Sequence, residues 1–181
     1  MQIWNQAQEW FAKEYFPNSS VYTFDGGNSS APVQVRLLNQ STLVGTFQGW
    51  TDYREQNSVM VSANVTIAAW NSKQAVLILS LHELGHVLGL GHVSCCERDL
   101  MDPYPLTNSA SSVPSTLDLY AVHILASGDQ VPIHVLLPKN IPYQAMPNME
   151  LAMPEFENQL EVSIIVPCLI IHDVNWVESH E

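Results

Sequence analysis

Two histidines four residues apart, His82 and His86, stand in the run HELGHVLGLGH, residues 82–92. On an α-helix that spacing puts both imidazoles on one face, one turn apart, where they can reach a single small cation. Glu83 follows the first of them, close enough to touch a metal-bound water without ligating the metal. Gly89 lets the chain leave the helix through a left-handed turn that a Cβ would resist. His92, three residues on, can then swing back as a third ligand. Three neutral imidazoles leave the full double charge on a zinc ion and one coordination position open to water, the pattern of a catalytic rather than a structural site. Zinc lowers the pKa of bound water from about 15.7 toward roughly 7. A carboxylate at Glu83 can take that proton and hand it to a leaving amine. The bland alternative is a buried helix whose histidines are merely hydrogen-bonded, and it has no need of Gly89 and His92 at fixed offsets.

The elements that must position these residues can be read from periodicity. Ile3, Trp4, Ala7, Trp10, Phe11 and Tyr15 recur at helical spacing, and Pro17 with Asn18 ends that helix. Val21 to Phe24 reads as a short strand that breaks at Asp25-Gly26-Gly27, a turn signal. Val33 to Leu38 alternates as a half-buried strand, and Leu43 to Trp50 and Ser58 to Ala69 supply more β-branched and aromatic residues. A polar loop, Thr51 to Asn57, separates the last two, and a split or bulge is expected near Asn64. Asn71, with Gln74 three residues on, has the pattern of a capping box for a helix over Ala75 to Leu88, apolar nearly all round. Gly85 inside that helix costs about 1 kcal/mol relative to Ala, which suggests close approach of a neighbouring backbone. Ser115-Thr116-Leu117-Asp118 is a second capping box, opening a helix that runs to Gly128. His123 on it reads as a packing residue. Beyond residue 128 prolines are frequent and helical periodicity disappears, with Val162 to Val166 readable as a strand.

Bulk properties narrow the class. Hydrophobic residues make up 46% of the 181 and charged ones 13%, the balance of a folded globule. A formal net charge of −12 repels phosphate backbones and anionic lipid, so neither nucleic acid nor a membrane is an expected partner. Three cysteines do not make a disulfide framework, though Cys95 or Cys96 could pair with Cys168. No apolar run is long enough to span a bilayer. The first ten residues, MQIWNQAQEW, lack the basic start and apolar stretch of a signal peptide. Sequons at Asn18, Asn28, Asn39 and Asn64, with so few charges, point to an extracellular protein whose signal peptide is not in this chain.

HELGHVLGLGH followed by Leu100-Met101-Asp102-Pro103 resembles the metzincin clan of zinc endopeptidases, and within it the matrixins most. The resemblance covers residues 1–127 in the order of elements and residues 82–103 at the level of matching letters. It implies an α+β, zincin-like (metzincin) fold: a twisted mixed β-sheet, a buried active-site helix and a C-terminal helix. On that reading residues 1–127 are the catalytic domain and 128–181 a proline-rich accessory tail whose structure the pattern leaves open. The resemblance also implies His82, His86 and His92 as ligands of one catalytic Zn2+, Glu83 as general base and acid, and Met101 in a structural turn beneath the metal. The partner implied is a peptide or protein substrate that adds to a sheet edge as an antiparallel strand, acted on by a monomer. Two departures stand out: His92 to Met101 is slightly longer than in typical matrixins, and Asp102 replaces the tyrosine usual after the methionine. No histidine precedes His82, so a second, structural zinc site lacks its ligands, while Ca2+ could be held by carboxylates and carbonyls. Two other functions stay open: a catalytically silent zinc-binding recognition or assembly protein on the same scaffold, and a zinc amidohydrolase acting on a non-peptide amide.

Overall fold

Helix α1 (Gln2–Tyr15) buries Trp4, Ala7, Gln8 and Phe11, the face that its apolar spacing marks out. In this computed structural model the described residues are 1–19, 21–26, 30–39, 49–57, 59–69, 72–93, 96, 98–106, 112–127, 134–144, 161–164 and 173–178. The strand expected at Leu43 to Trp50 falls outside them except for its last two residues. Asn71, Cys95, Cys168 and the end of the strand expected at Val162 to Val166 also lie outside.

The architecture is mixed α+β. Strands β1 (Asp25–Gly26), β2 (Val33–Asn39), β3 (Gly49–Gln56), β4 (Val59–Ala69) and β8 (Asp173–Glu178) form one sheet in the order β1-β8-β2-β4-β3. All neighbours are parallel except β3, which runs antiparallel to β4 and is an edge among the described strands. Val35 of β2 stands opposite Val65 of β4, so the two buried rows meet side by side. Strands β5 (Leu90–Val93), β6 (His134–Leu136) and β7 (Glu161–Ile164) form a second, antiparallel sheet in the order β5-β7-β6. Helix α2 (Lys73–Val87) follows β4, and α3 (Thr116–Ser127) lies beyond the loop that contains Met101. No helix among the described residues is long and apolar enough to cross a membrane.

Several local expectations are corrected. Residues 21–24 are not a strand; their backbone is held by α1 side chains, with Asn5 bonded in both directions to Phe24 and Gln8 Oε1 accepting from Tyr22 N. The strand begins instead at Asp25 and Gly26, the residues read as a turn. Thr51 to Gln56 is not a loop but most of β3; as an edge strand it keeps Asp52 to Gln56 exposed and so lacks the apolar alternation that marks a half-buried strand. β4 is continuous through Asn64, and the one irregularity in its pairing with β3 lies between Arg54 and Glu55. The cap of α2 is Ser72, whose hydroxyl accepts from Ala75 N at 3.3 Å, and the helix's first turn is open to solvent, leaving Leu77 exposed. At α3 the expected reciprocal box is present: Asp118 N donates to Ser115 Oγ at 3.2 Å and Ser115 N to Asp118 Oδ2 at 3.0 Å.

The core closes around the buried part of α2. Trp4 Nε1–H donates to Leu81 O at 2.9 Å, tying α1 to the turn that carries His82. Val135, Leu137, Ile141 and Tyr143 belong to the same apolar cluster as Trp4, Val65 and Leu84, so the core continues past residue 127. Gly85 is explained by side chains rather than by a backbone. A Cβ there would run into Met101 Sδ, reach 3.0 Å from Met101 Cε and 3.3 Å from Trp4 Cζ2. Overpacking of this kind costs about 1–3 kcal/mol, more than the roughly 1 kcal/mol that a better helix former returns. Gly85→Ala is therefore expected to lower the denaturation midpoint, and Gly85→Ala in a Met101→Ala background to lower it less. Equal losses in both backgrounds, measured by denaturant unfolding, would show that the Gly85–Met101 contact is not what selects glycine.

Candidate metal centre

The three histidines come from two elements and the turn between them. His82 and His86 lie on the inner face of α2, and the helix ends at Leu88, whose N–H still bonds to Leu84 O at 3.0 Å. Gly89 follows with φ of 93°, the left-handed conformation for which glycine is suited, and Gly89 N bonds to His86 O at 3.0 Å. The chain then turns back as β5, which presents His92. Ring centroids are 4.7 Å apart for His82 and His86, 4.9 Å for His86 and His92, and 5.3 Å for His82 and His92. One ligand nitrogen from each lies within 4.8 Å of the others, so the three can hold a metal ion. His82 is buried, His86 half-buried and His92 exposed, so the cluster opens toward solvent on the His92 side.

Hydrogen bonds on the far side of two rings fix which nitrogen faces the centre. His82 Nδ1 lies 2.7 Å from Leu100 O, and His86 Nδ1 lies 2.7 Å from Leu90 O. A carbonyl can only accept, so each Nδ1 carries the proton and each Nε2 offers a lone pair. Those two Nε2 atoms are 3.1 Å apart. Burial pushes the His82 imidazolium down to about 3, helped by the charge of His86, and burial pushes His86 down to about 4. Both rings are therefore neutral at neutral pH, and neither Nε2 has a proton to give the other. Two lone pairs facing at this distance repel unless a cation lies between them. Nitrogens each about 2.0–2.1 Å from one tetrahedral zinc stand roughly 3.3 Å apart, so the donor pair has the right span. His92 is held down as well, by burial, and the nearby Asp102 charge opposes that shift.

Glu83 is buried, at 3% exposure, on the side of α2 that faces β3. Thr51 Oγ1–H donates to its Oε2 at 2.7 Å, with the Glu83 carbonyl 3.2 Å from the same hydroxyl. Gly49, two residues back along β3, makes room for the acid: a Cβ there would stand 2.7 Å from Glu83 Oε1. Burial raises the Glu83 carboxyl to about 7, and the Thr51 bond pulls the other way. Neither Thr51 nor Gly49 was signalled by the sequence, because each meets Glu83 across more than thirty residues of chain.

Met101 is fully buried, its side chain against Gly85, the residue before His86. Its carbonyl accepts from Val93 N at 3.0 Å, beside His92, and its N–H donates to Asp99 Oδ1 at 2.9 Å. Asp102, which follows, is buried and closes a short turn by accepting from Tyr104 N at 2.7 Å. Cys96 is disulfide-bonded and stands apart from the three-histidine group, as does His123, which stacks on Phe16 with centroids 4.0 Å apart. No protein-family model, curated protein or solved structure matches this chain.

One Zn2+ per chain is expected by calorimetric titration, weakened by more than about 100-fold in His86→Ala and unchanged in His123→Ala. Equal affinity in the two variants would place the metal elsewhere.

Proposed function

We propose that the chain is a zinc-dependent endopeptidase built on a metzincin-type scaffold. The observation that carries this reading is the convergence of the His82 and His86 lone pairs, with His92 closing the group on its exposed side and a buried carboxylate on the residue after His82. His82, His86 and His92 would hold the ion, and their donor chemistry fits it: neutral imidazoles with the remaining ring nitrogens of His82 and His86 tied to carbonyls, the arrangement that orients histidine ligands. When bound, zinc supplies Lewis acidity toward a scissile carbonyl and lowers the pKa of water.

The chain's own residues do the rest. The Thr51 bond occupies Glu83 Oε2 and fixes the plane of the carboxyl, leaving Oε1 to take a proton from the attacking water and deliver it to the departing amine. Burial favours a carboxyl that can exist in both states near neutral pH, which suits a group that must accept and then release a proton. Strand β3 supports a peptide substrate in particular. It is an exposed, antiparallel edge whose inner residues Gly49 and Thr51 touch Glu83, so an extended peptide added to that edge would lie beside the acid. Met101 serves by packing: its side chain fills the space that Gly85 leaves open under the two helical ligands.

Two measurements test this. Glu83→Gln is expected to keep zinc at wild-type stoichiometry while hydrolysis of a quenched peptide library falls by about 10²–10⁴-fold; full turnover in the zinc-loaded variant, or a zinc-loaded wild type silent toward every peptide, contradicts the proposal. Thr51→Val is expected to lower kcat by about tenfold or more, the scale of a hydrogen bond to a charged group, while Thr51→Ser restores it. Identical kcat in Thr51→Val and wild type would leave Glu83 without need of that hydroxyl.

A further inference from the structure

Next to the turn that holds Met101 lies a second polar cluster, separate from the three histidines. Asp99 sits two residues before Met101, Asp118 in the first turn of α3, and Tyr143 in the segment that crosses the start of that helix. That segment is clamped there: Thr116 N bonds to Gln144 O at 2.8 Å, and Thr116 Oγ1 donates to Pro142 O at 2.7 Å. Both acids are fully buried, and no cation is among the described groups that act on them. The groups facing Asp99 are Tyr143, the Met101 N–H, Ser115 and Asp118; those facing Asp118 are Asp99, Ser115 and the Tyr143 hydroxyl.

The donors are unevenly shared. Asp99 takes two fixed ones, Tyr143 Oη–H to Oδ2 at 2.6 Å and Met101 N–H to Oδ1 at 2.9 Å. Asp118 takes Ser115 N on Oδ2 and faces the Ser115 hydroxyl that also faces Asp99, while its buried Oδ1 has no hydrogen-bond partner among the described residues. The two carboxyl groups are nevertheless within hydrogen-bond range of each other. Two carboxylates cannot bond without a proton, and two buried like charges with no cation cannot both persist. A proton on Asp118 supplies the missing donor and leaves Asp99 as the ionised acceptor that its other partners favour.

We infer that Asp99 and Asp118 share one proton, carried by Asp118, and that this bond makes Asp99 a positioning residue for the metal centre. Asp99 holds the Met101 N–H; the peptide bond ending there contains Leu100 O, which takes the His82 Nδ1 proton. The chain of contacts thus runs from Tyr143 and α3 through Asp99 to the first ligand. Burial raises both acids, and the Asp99 charge raises Asp118 further, while the bonds from Tyr143, Met101 and Asp118 work to keep Asp99 down. The sign of the linkage follows from the raised direction. The contribution to stability is complete below the ordinary carboxylate range and is lost as pH rises through the pair's folded value.

The positioning part rests on the zinc reading above; the shared proton does not. Infrared spectra at neutral pH, recorded in a Glu83→Gln background so that the Glu83 carboxyl cannot contribute, are expected to show the carbonyl stretch of a protonated aspartic acid that disappears when Asp118→Asn is added. The amide of Asp118→Asn can donate to Asp99 and accept from Ser115 N, so that variant's stability is expected to fall less steeply with rising pH than the wild type's. Its zinc affinity should stay within about tenfold of wild type, whereas Asp99→Asn weakens zinc by about 10–100-fold, as changes behind a ligand do. If Asp99→Asn does not fold, Tyr143→Phe, which removes one donor from Asp99, is read for the same loss. No acid band, or an unchanged pH slope in Asp118→Asn, overturns the shared proton. Wild-type zinc affinity in Asp99→Asn, or in Tyr143→Phe where that variant must replace it, overturns the positioning role. A wild type that binds no zinc refutes the metal reading, and the infrared and pH results still decide the proton.

Discussion

Two imidazole lone pairs held 3.1 Å apart by bonds made on the opposite edges of their rings are the constraint from which the rest of the molecule can be understood. Left alone, the pair is repulsive, and burial removes the easy escape of protonating either ring. The framework must therefore keep both rings in place against that repulsion. It does so with two backbone carbonyls that both follow α2 in the chain, Leu90 O at the start of β5 and Leu100 O just before Met101.

Each neighbouring feature serves that rigidity. Trp4 bonds to Leu81 O and packs near Gly85, so α1 braces the part of α2 that carries His82 and His86. Met101 fills the space that the absent Gly85 side chain leaves, and its backbone is held on both sides, by Val93 N and by Asp99. Gly89 turns the chain at a positive φ, so that β5 can begin at once and supply both Leu90 O and His92. In the proposed peptidase this stiffness is the means by which ligands, acid and substrate edge keep a common geometry, since catalytic groups must be held close to their productive positions.

What was legible in the sequence followed from local rules. The 82–86 pair, Gly89 and His92 are fixed by helical spacing and one left-handed turn, and the Ser115–Asp118 box is local too. Helix α1 was readable from its apolar face and β2 from its alternation. What escaped depended on partners far along the chain or on exposure. β3 is polar because its outer part faces solvent, so Thr51 to Asn57 read as a loop although Thr51 and Gly49 hold Glu83. Asn71 and Ser72 are adjacent residues of equal capping aptitude, so local rules do not separate them, and the N-cap of α2 is Ser72. Gly85 announced a close approach but not its agent, because Met101 arrives from sixteen residues away. The role of Tyr143 had no sequence signal, since a tyrosine among prolines says nothing of the buried acid 44 residues earlier.

The central claim, three histidines converging on one zinc ion, is tested most directly by X-ray absorption at the zinc edge of the zinc-loaded wild-type protein. The account predicts a first shell of three imidazole nitrogens and one light oxygen, with no sulfur. A shell containing cysteine sulfur, or one with fewer than three imidazoles, would contradict it.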